Sequence, residues 1–201
     1  MTTPDKTADE IMFGHLTEYA KAELTRHALL CAHLDYAWDR LRPRLDGLTD
    51  EEYFYAPATD GDVWTVQVYD DGNVHVDWTY PEPEPPPFTT IGWRLTHIAM
   101  MLDTRADYHF GPGTMDLEAI SWPGAAQASL GWLDSSWAMF RGGVAGLTDS
   151  DLDRRSAGPP GTADEHFPLA MTIQHLTLEC IHQGAEVALL RDLYRVRSGR
   201  T

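Results

Sequence analysis

Four segments of the sequence repeat their apolar residues at spacings of three and four, which is the pattern of an amphipathic helix. The segments cover approximately residues 15–45, 89–110, 124–144 and 169–196. Each helix must bury one apolar face, and a bundle lets all four helices do so around one core. We therefore predict an all-α fold, a four-helix bundle formed by residues 1–201 as a single domain.

The segment between the first two helices has a different pattern. Valines lie on both sides of residues 70–73, whose sequence Asp-Asp-Gly-Asn is typical of a hairpin turn. The prolines of residues 81–87 cannot lie inside a helix or a sheet and indicate an extended connector. A small β-hairpin over residues 63–80 is thus predicted outside the bundle, and Pro43 predicts a bend or an early stop in the first helix.

Two helix ends resemble each other. The sequence WDRLRPRLDGLTDEEY begins at Trp38, and WAMFRGGVAGLTDSDL begins at Trp137. In the first copy, the spacing of Thr49 and Glu52 predicts a capping box at the start of a further helical turn. The repeated ending favours a bundle with approximate two-fold character.

The composition argues against several classes of function. The formal net charge is −16 and no cluster of lysines and arginines opposes it, so nucleic acid is not an expected partner. The first ten residues lack the basic and apolar blocks of a signal peptide, and no apolar run reaches the roughly 18 residues of a membrane span. We expect a cytoplasmic protein in which the two cysteines, Cys31 and Cys180, are reduced and packed in the core.

The last helical segment carries polar side chains on or beside its apolar face. At 3.6 residues per turn, His175, Glu179 and His182 fall within a stripe roughly 60° wide. A bare imidazole or carboxylate is costly to bury without a partner. Two explanations stay open: the three groups form an intrahelical ladder of hydrogen bonds and ion pairs, or they hold a cation.

A further histidine lies in the second helix. His97 has apolar neighbours and is either a core histidine bonded to a backbone or carboxylate oxygen, or a metal ligand. Bundle cores build metal sites from side chains on facing helices. One histidine from the second helix with a Glu-x-x-His pair from the last helix makes three ligands, which leaves a divalent ion open to water or substrate.

The segments TIGWRLTHI and HLTLECIHQGAEVALLRDLY carry a family resemblance. They are similar to the DinB-like superfamily, whose members include YfiT-like proteins and mycothiol-dependent maleylpyruvate isomerase. The resemblance covers residues 15–195 and implies an up-down-down-up four-helix bundle that binds a divalent metal. His97 and His182 match two of the ligand positions of the family.

The third ligand position departs from the family pattern. The family motif has histidine or glutamate four residues before the last ligand, where this chain has Leu178, which cannot bind a metal. Glu179 is the first substitute, because residues three apart also share a helix face, and His175 is the second. The expected metal ligands are therefore His97, Glu179 and His182, and the expected ion is zinc or nickel.

The resemblance implies a metal-dependent thiol S-transferase or isomerase. Such a protein acts on small electrophiles with a low-molecular-weight thiol such as mycothiol or bacillithiol, which the metal holds as a thiolate. The alternatives are a non-catalytic bundle that binds metal or a small ligand, and a metal-dependent hydrolase, which the lack of a His-Glu-x-x-His helix disfavours. Arg94, Arg105 and His109 can contact an acidic substrate, although surface or intrahelical pairing is more typical. Tryptophans at helical spacing are typical of core or dimer contacts, so a homodimer is an expected assembly.

Overall fold

The computed structural model of the protein describes residues 24–58, 62–160 and 162–199. Within these residues, the helices are α1 (Arg26–Leu41), α2 (Asp50–Tyr53), α3 (Ile91–Phe110), α4 (Ala126–Ala145) and α5 (Leu169–Arg197). Helices α3, α4 and α5 lie within a few residues of the predicted segments, and α2 is a single turn. The predicted start of the first helix is wrong within the described residues, because Thr25 is extended and its side chain caps a helix that begins at Arg26. Residues 15–23 of the first predicted helix lie outside the described residues.

Local sequence signals explain where several helices begin and end. The hydroxyl of Thr90 accepts a hydrogen bond from the backbone of the third residue of α3, as an N-cap should. The predicted capping box forms at α2, where Thr49 and Glu52 bond each other's backbone amides. The predicted effect of Pro43 is also confirmed, because α1 ends at Leu41 and the chain continues as a 3-10 helix, Arg42–Leu45.

The predicted hairpin is present. Strands β2 (Val66–Val68) and β3 (Val74–Val76) pair antiparallel, and Gly72 has a φ of +85° in the turn between them. The sequence did not reveal a second pair, in which β1 (Val63–Trp64) and β4 (Phe88–Thr89) run parallel. Because β4 leads directly into α3, this pair fixes the hairpin beside the start of that helix.

The long helices contact one another in a ring. Helix α3 packs on α4 and α5, and α1 packs on α5 and α4. The core between them is continuous and includes the fully buried side chains Leu34, Leu95, Leu133, Phe140, Ile173 and Val187. Burial of this apolar surface is the main favourable contribution to folding. No helix of the described residues combines the length and the apolarity that a membrane crossing requires.

The two similar helix ends meet in the fold. Trp38 of α1 and Trp137 of α4 stack, with ring centroids 4.4 Å apart and planes within 3° of parallel. Equivalent residues on the two sides of this stack make two ion pairs, Arg42–Asp134 at 2.7 Å and Asp35–Arg141 at 2.5 Å.

The N-termini of α1 and α4 are held in the same way. Asp50 accepts a hydrogen bond from the backbone of Ala126 at 2.8 Å, and Asp149 accepts one from the backbone of His27 at 2.9 Å. Each aspartate follows the helix end of one copy of the repeat and caps the start of the other helix. The contacts therefore give α1 and α4 a local two-fold relation that supports the interpretation of the repeat.

Candidate functional site

Two predicted site residues meet between α3 and α5. The Nε2 atom of His97 lies 3.5 Å from Oε2 of Glu179, and the two side chains are only 13% and 21% exposed. Glu179 also accepts a hydrogen bond from Nε2 of Gln183 at 3.1 Å. The hydrogen bond from His97 is the main cause that lowers the pKa of Glu179 to about 2; burial opposes it, and Gln183 adds to it. Glu179 is therefore an ionised carboxylate at neutral pH.

The pairing with Glu179 assigns the tautomer of His97. Because Nε2 faces an ionised carboxylate, it carries the ring proton. The other ring nitrogen, Nδ1, is buried and has no hydrogen-bond partner among the described residues. In the neutral ring, Nδ1 is thus a free acceptor.

The third predicted ligand, His182, has a different partner. Its Nε2 atom lies 3.0 Å from Oε1 of Glu186, and its side chain is 66% exposed. Glu186 is also paired with Arg94, whose guanidinium donates to Oε1 of Gln183 at 2.6 Å. His182 thus belongs to a surface group of charges, one helical turn beyond the pair of His97 and Glu179.

The remaining candidate positions on α5 face outward. His175, the second substitute for the third ligand, is exposed, and its effect on Glu179 is a weak electrostatic lowering of the pKa. Leu178, at the position where the family has a ligand, is 52% exposed. Neither residue joins His97 and Glu179 in a cluster.

These positions decide how well the described side chains fit a metal. Two ligands at 2.0–2.1 Å from a tetrahedral ion lie about 3.3 Å apart, so the 3.5 Å between His97 and Glu179 suits two positions on one ion. Among the described residues, however, no group of three histidine, cysteine, aspartate or glutamate side chains is placed to hold a metal. The three-ligand site does not fit this arrangement, and the metal stays a prediction.

A cavity of about 520 Å³ lies beside His97. We call it the α3 cavity, because Trp93, Thr96, His97, Met100, Met101 and Arg105 of its wall belong to α3. The other lining residues are His75, Val76 and Trp78 of the hairpin region, Leu117, Glu118 and Trp122 before α4, and Pro159 and Thr162 before α5. The wall is mostly apolar, and Glu179 lies behind His97.

Aromatic rings surround His97. The ring centroid of Trp93 lies 5.1 Å from that of His97, and the centroid of Trp78 lies 5.6 Å from it. The indole nitrogen of Trp93 donates to the backbone oxygen of Asp77 at 2.7 Å. The side chain of Asp77 in turn accepts from Gln67 of the hairpin at 2.7 Å. The hairpin, which was predicted only as a feature outside the bundle, thus forms one wall of the cavity.

Arg105, another α3 residue of the cavity wall, belongs to a buried ion pair. Nη2 of Arg105 lies 2.8 Å from Oδ2 of Asp164, with side chains 11% and 13% exposed. Nη1 of Arg105 contacts the sulfur of Met101 at 3.4 Å, and Nε is buried without a partner among the described residues. Asp164 belongs to the segment between α4 and α5 that also supplies two lining residues, so this ion pair connects that segment to α3.

A second contact holds the same segment on α3. Nε2 of His109 lies 3.0 Å from Oγ of Ser156, and Nδ1 accepts from the backbone of Ala157 at 3.4 Å. Nε2 therefore carries the proton and donates to Ser156, whose hydroxyl lies 2.6 Å from that of Thr172. His109 cannot act as a base for Ser156 in this arrangement. Burial, assisted by the charge of Arg154, lowers the pKa of His109 to about 4.

The two cysteines are free and buried, as the sequence predicted. Burial raises the pKa of Cys180 to about 12 and also raises the pKa of Cys31. Both thiols are therefore protonated packing groups, without the thiolate character of a reactive cysteine.

Comparison with known proteins identifies the family. A family model of the DinB superfamily matches residues 33–187. A search of curated proteins and a search of solved structures each gave no match. The matched range covers more than half of the chain and contains His97, Glu179 and His182. The chain belongs to the DinB superfamily.

Proposed function

We propose that the protein binds a small, largely apolar molecule in the α3 cavity. The observation that carries the proposal is the cavity itself, about 520 Å³ in volume, with a mostly apolar wall that contains His97. Cavities of roughly 300–1,000 Å³ with few polar groups are typical of small-molecule sites. The apolar wall supplies binding energy, and a few fixed polar groups set the orientation of the ligand.

The polar side chains beside the cavity are held in place before any ligand enters. Glu179 orients His97, and Asp164 orients Arg105. Hydrogen-bonded neighbours reduce the rotamer freedom that binding would otherwise remove. This order favours a defined ligand over unspecific uptake of apolar molecules.

Cavity filling tests this proposal. Methyl 6-hydroxy-2-naphthoate is a suitable apolar probe, and its binding is measured by isothermal titration calorimetry. Met100→Trp adds bulk to the cavity wall and should weaken binding at least about ten-fold. The control is Met139→Trp, on an exposed face of α4, and this variant should bind the probe with the affinity of the wild type. Equal weakening in both variants, or in neither, would contradict binding in the α3 cavity.

Metal-dependent thiol transfer is the second candidate function. It is supported by membership of the superfamily and by the 3.5 Å spacing of His97 and Glu179, which suits two ligands of one ion. Zinc or nickel is the proposed ion, and mycothiol or bacillithiol the proposed thiol. His182 would have to leave Glu186 to serve as the third ligand.

Metal analysis tests the second candidate. The protein is purified without a histidine tag and without added metal, and its zinc and nickel contents are measured. One equivalent of metal that is lost in His97→Ala would support the candidate. A protein that retains no divalent ion after dialysis against zinc or nickel would exclude it.

We also propose the up-down-down-up order of the four long helices. Arg94 of α3 contacts Gln183 within α5, and Arg105 of α3 contacts Asp164, which precedes α5. Residue numbers therefore rise along α3 as they fall along α5. The ion pairs Arg42–Asp134 and Asp35–Arg141 show the same relation between α1 and α4, because residue numbers rise along α1 as they fall along α4. Leu41 lies beside Gly184, and Arg44 donates to the backbone oxygen of Ala188 at 3.0 Å, so residue numbers rise together on α1 and α5, which supports a common direction.

A cytoplasmic location and a homodimer remain proposals. The free, buried cysteines fit a reducing compartment. Leu178, Ile181 and Leu189 are exposed apolar residues on α5, and such surfaces often mark contacts between proteins. Light scattering coupled to size exclusion measures the mass directly, and a mass of one chain at micromolar concentration would exclude the dimer.

A further inference from the structure

We propose that the ligand of the α3 cavity is an organic cation, a planar apolar body with a tertiary or quaternary ammonium group that binds beside Glu118 and Trp122. This inference rests on the proposed function, that is, on a small molecule occupying the cavity. It goes further by assigning the charge of that molecule and the part of the wall that its charged group contacts.

The charged side chains of the cavity wall leave one negative charge without a partner. Apart from its histidines, the described wall has one arginine, Arg105, and one carboxylate, Glu118. The sequence alone allowed Arg105 to contact an acidic substrate, but in the structure its guanidinium lies 2.8 Å from the carboxylate of Asp164. The side chain of Glu118 is exposed and has no ion-pair partner among the described residues. The uncompensated charge of the wall is therefore negative, which attracts a cation and repels an anion.

Aromatic rings supply a second attraction for a cation. A cation is drawn to the face of a tryptophan ring when it lies within about 6 Å of the ring centroid. The protein already contains one such contact, because the guanidinium carbon of Arg94 lies 5.1 Å from the ring centroid of Trp93. Trp78 and Trp122 also line the cavity. Trp78 is 56% exposed although it stacks on Trp93, so part of its ring surface is open to a ligand.

A second cavity shares Trp122 with the α3 cavity. It has a volume of about 550 Å³, and its described wall includes Asp103, Asp116 and Trp132 but no arginine, lysine or histidine. Trp132 meets Trp122 edge to face, with ring centroids 6.0 Å apart, and its indole nitrogen donates to Asp103 at 2.7 Å. Both cavities lined by Trp122 thus leave negative charge uncompensated, and clefts lined by one sign of charge concentrate the electric field.

The same surroundings favour an organic cation over a metal ion. Within the part of the chain that the structure describes, no three carboxylate, histidine or cysteine side chains are placed to hold a metal. The wall of the α3 cavity is mostly apolar, so it offers few acceptors for the three hydrogens of a primary ammonium group. A tertiary ammonium group has one hydrogen, which Glu118 can accept, and a quaternary group has none. Tryptophan faces bind such groups well, and they also suit a planar body.

Three probes that share a naphthalene ring and a one-carbon spacer test the inference by isothermal titration calorimetry near neutral pH and at low ionic strength. They are the cation (naphthalen-2-ylmethyl)trimethylammonium, the neutral 2-(naphthalen-2-yl)acetamide and the anion 2-(naphthalen-2-yl)acetate. With the wild-type protein, the cation should bind at least about ten-fold more tightly than the anion and several-fold more tightly than the amide. Added salt should reduce the advantage of the cation over the anion, because the charge of an exposed carboxylate is screened.

Three variants test which groups cause the preference. Glu118→Gln removes the uncompensated charge of the wall and should weaken binding of the cation about three- to five-fold, while the amide binds as before. The control Asp39→Asn removes an exposed charge from α1, outside the cavity wall, and should leave all three affinities unchanged. Trp122→Leu keeps an apolar contact but has no ring face, so the ratio of cation to amide affinity should fall about three- to ten-fold. Circular dichroism checks that the variants fold.

The outcomes separate this inference from the proposed function. If the three probes bind equally, or the acetate binds best, a ligand is still bound but the assignment of a cation is overturned. If Glu118→Gln and Asp39→Asn weaken the cation equally, the preference comes from the overall charge of −16, and the assignment to Glu118 is overturned. If methyl 6-hydroxy-2-naphthoate binds and the cation does not, the inference fails and the proposed function stands. If neither binds up to its solubility limit, the proposed function itself fails.

Discussion

The contact of His109 with Ser156 makes the stability of the protein depend on pH in a specific window. In the folded protein, burial holds the pKa of His109 at about 4, against an ordinary value of 6.5. Arg154 and Arg105 lower this pKa further, and Asp164 opposes them. A depressed pKa means that the unfolded chain takes up the proton first. The contribution of neutral His109 is therefore complete above pH 6.5 and is lost as the pH falls toward 4.

The size of the effect follows from linkage. One unit of pKa difference corresponds to about 1.4 kcal/mol. For His109, the free energy of unfolding should fall by about 2 kcal/mol between pH 7.5 and pH 5, and by about 3 kcal/mol at lower pH. Glu179, whose pKa is lowered from 4.5 to about 2, contributes to the pH dependence mainly below this window.

Urea denaturation at about pH 7.5 and about pH 5 measures the difference. In His109→Gln the amide can still donate to Ser156 but does not titrate, so the loss between the two pH values should shrink by about 2 kcal/mol. His166→Gln replaces an exposed histidine in the segment before α5 and should keep the wild-type loss.

An unchanged pH dependence in His109→Gln would refute the reasoning, because another group would then carry the loss. A variant that is less stable at both pH values by the same amount would also refute it. That result would show a packing role for the ring without preferential protonation of the unfolded chain.

Two further expectations concern packing and metal binding. A Cβ atom at Gly143 would lie 2.2 Å from the ring of Phe110, so Gly143→Ala should lower the free energy of unfolding by about 1–3 kcal/mol. Gly142 has no neighbour within 4 Å of that position, so Gly142→Ala should stabilise the helix by about 0.5–1 kcal/mol in the same urea assay; equal effects would contradict the contact. If His182 is a metal ligand, Glu186→Gln should tighten zinc binding about two- to five-fold in a competition titration, because it removes an exposed partner. Unchanged affinity would argue against His182 as a ligand.

The parts of the fold that depend on local sequence were predictable. The threonine cap at Thr90, the stop before Pro43 and the turn at Gly72 each act within a few residues of chain. The apolar periodicity predicted the long helices because one face of each must be buried. The hairpin was predicted by its turn, but its place against α3 was not. That place depends on the parallel pairing of Trp64 with Thr89, which are distant in sequence.

The candidate site was predictable only in part. Residues on one helical stripe were expected to act together, and His97 and Glu179 do meet across two helices. His182 lies on the predicted stripe of α5 but pairs with Glu186 one turn away, because side chains four residues apart on a helix are neighbours. The spacing of His175, Glu179 and His182 could not show this competition.

The cavity wall and its second ion pair depend on tertiary structure. Trp78 reaches His97 because the hairpin folds back over α3, and Asp164 reaches Arg105 from the segment before α5. No periodicity marks either residue. The equivalent positions of Arg42 and Arg141 in the two copies of the repeat were visible in sequence, but their crossed ion pairs with Asp134 and Asp35 required knowledge of which helices pack together.

The most direct test of a ligand in the α3 cavity is a titration followed through the tryptophan indole N–H signals in ¹⁵N–¹H NMR spectra. With methyl 6-hydroxy-2-naphthoate, we expect the signals of Trp78, Trp93 and Trp122, which line the cavity, to shift with one common dissociation constant. The signals of Trp38 and Trp137, which stack between α1 and α4, should stay in place. Shifts confined to Trp38 and Trp137, or no shift at any of the three cavity tryptophans, would contradict binding at this site.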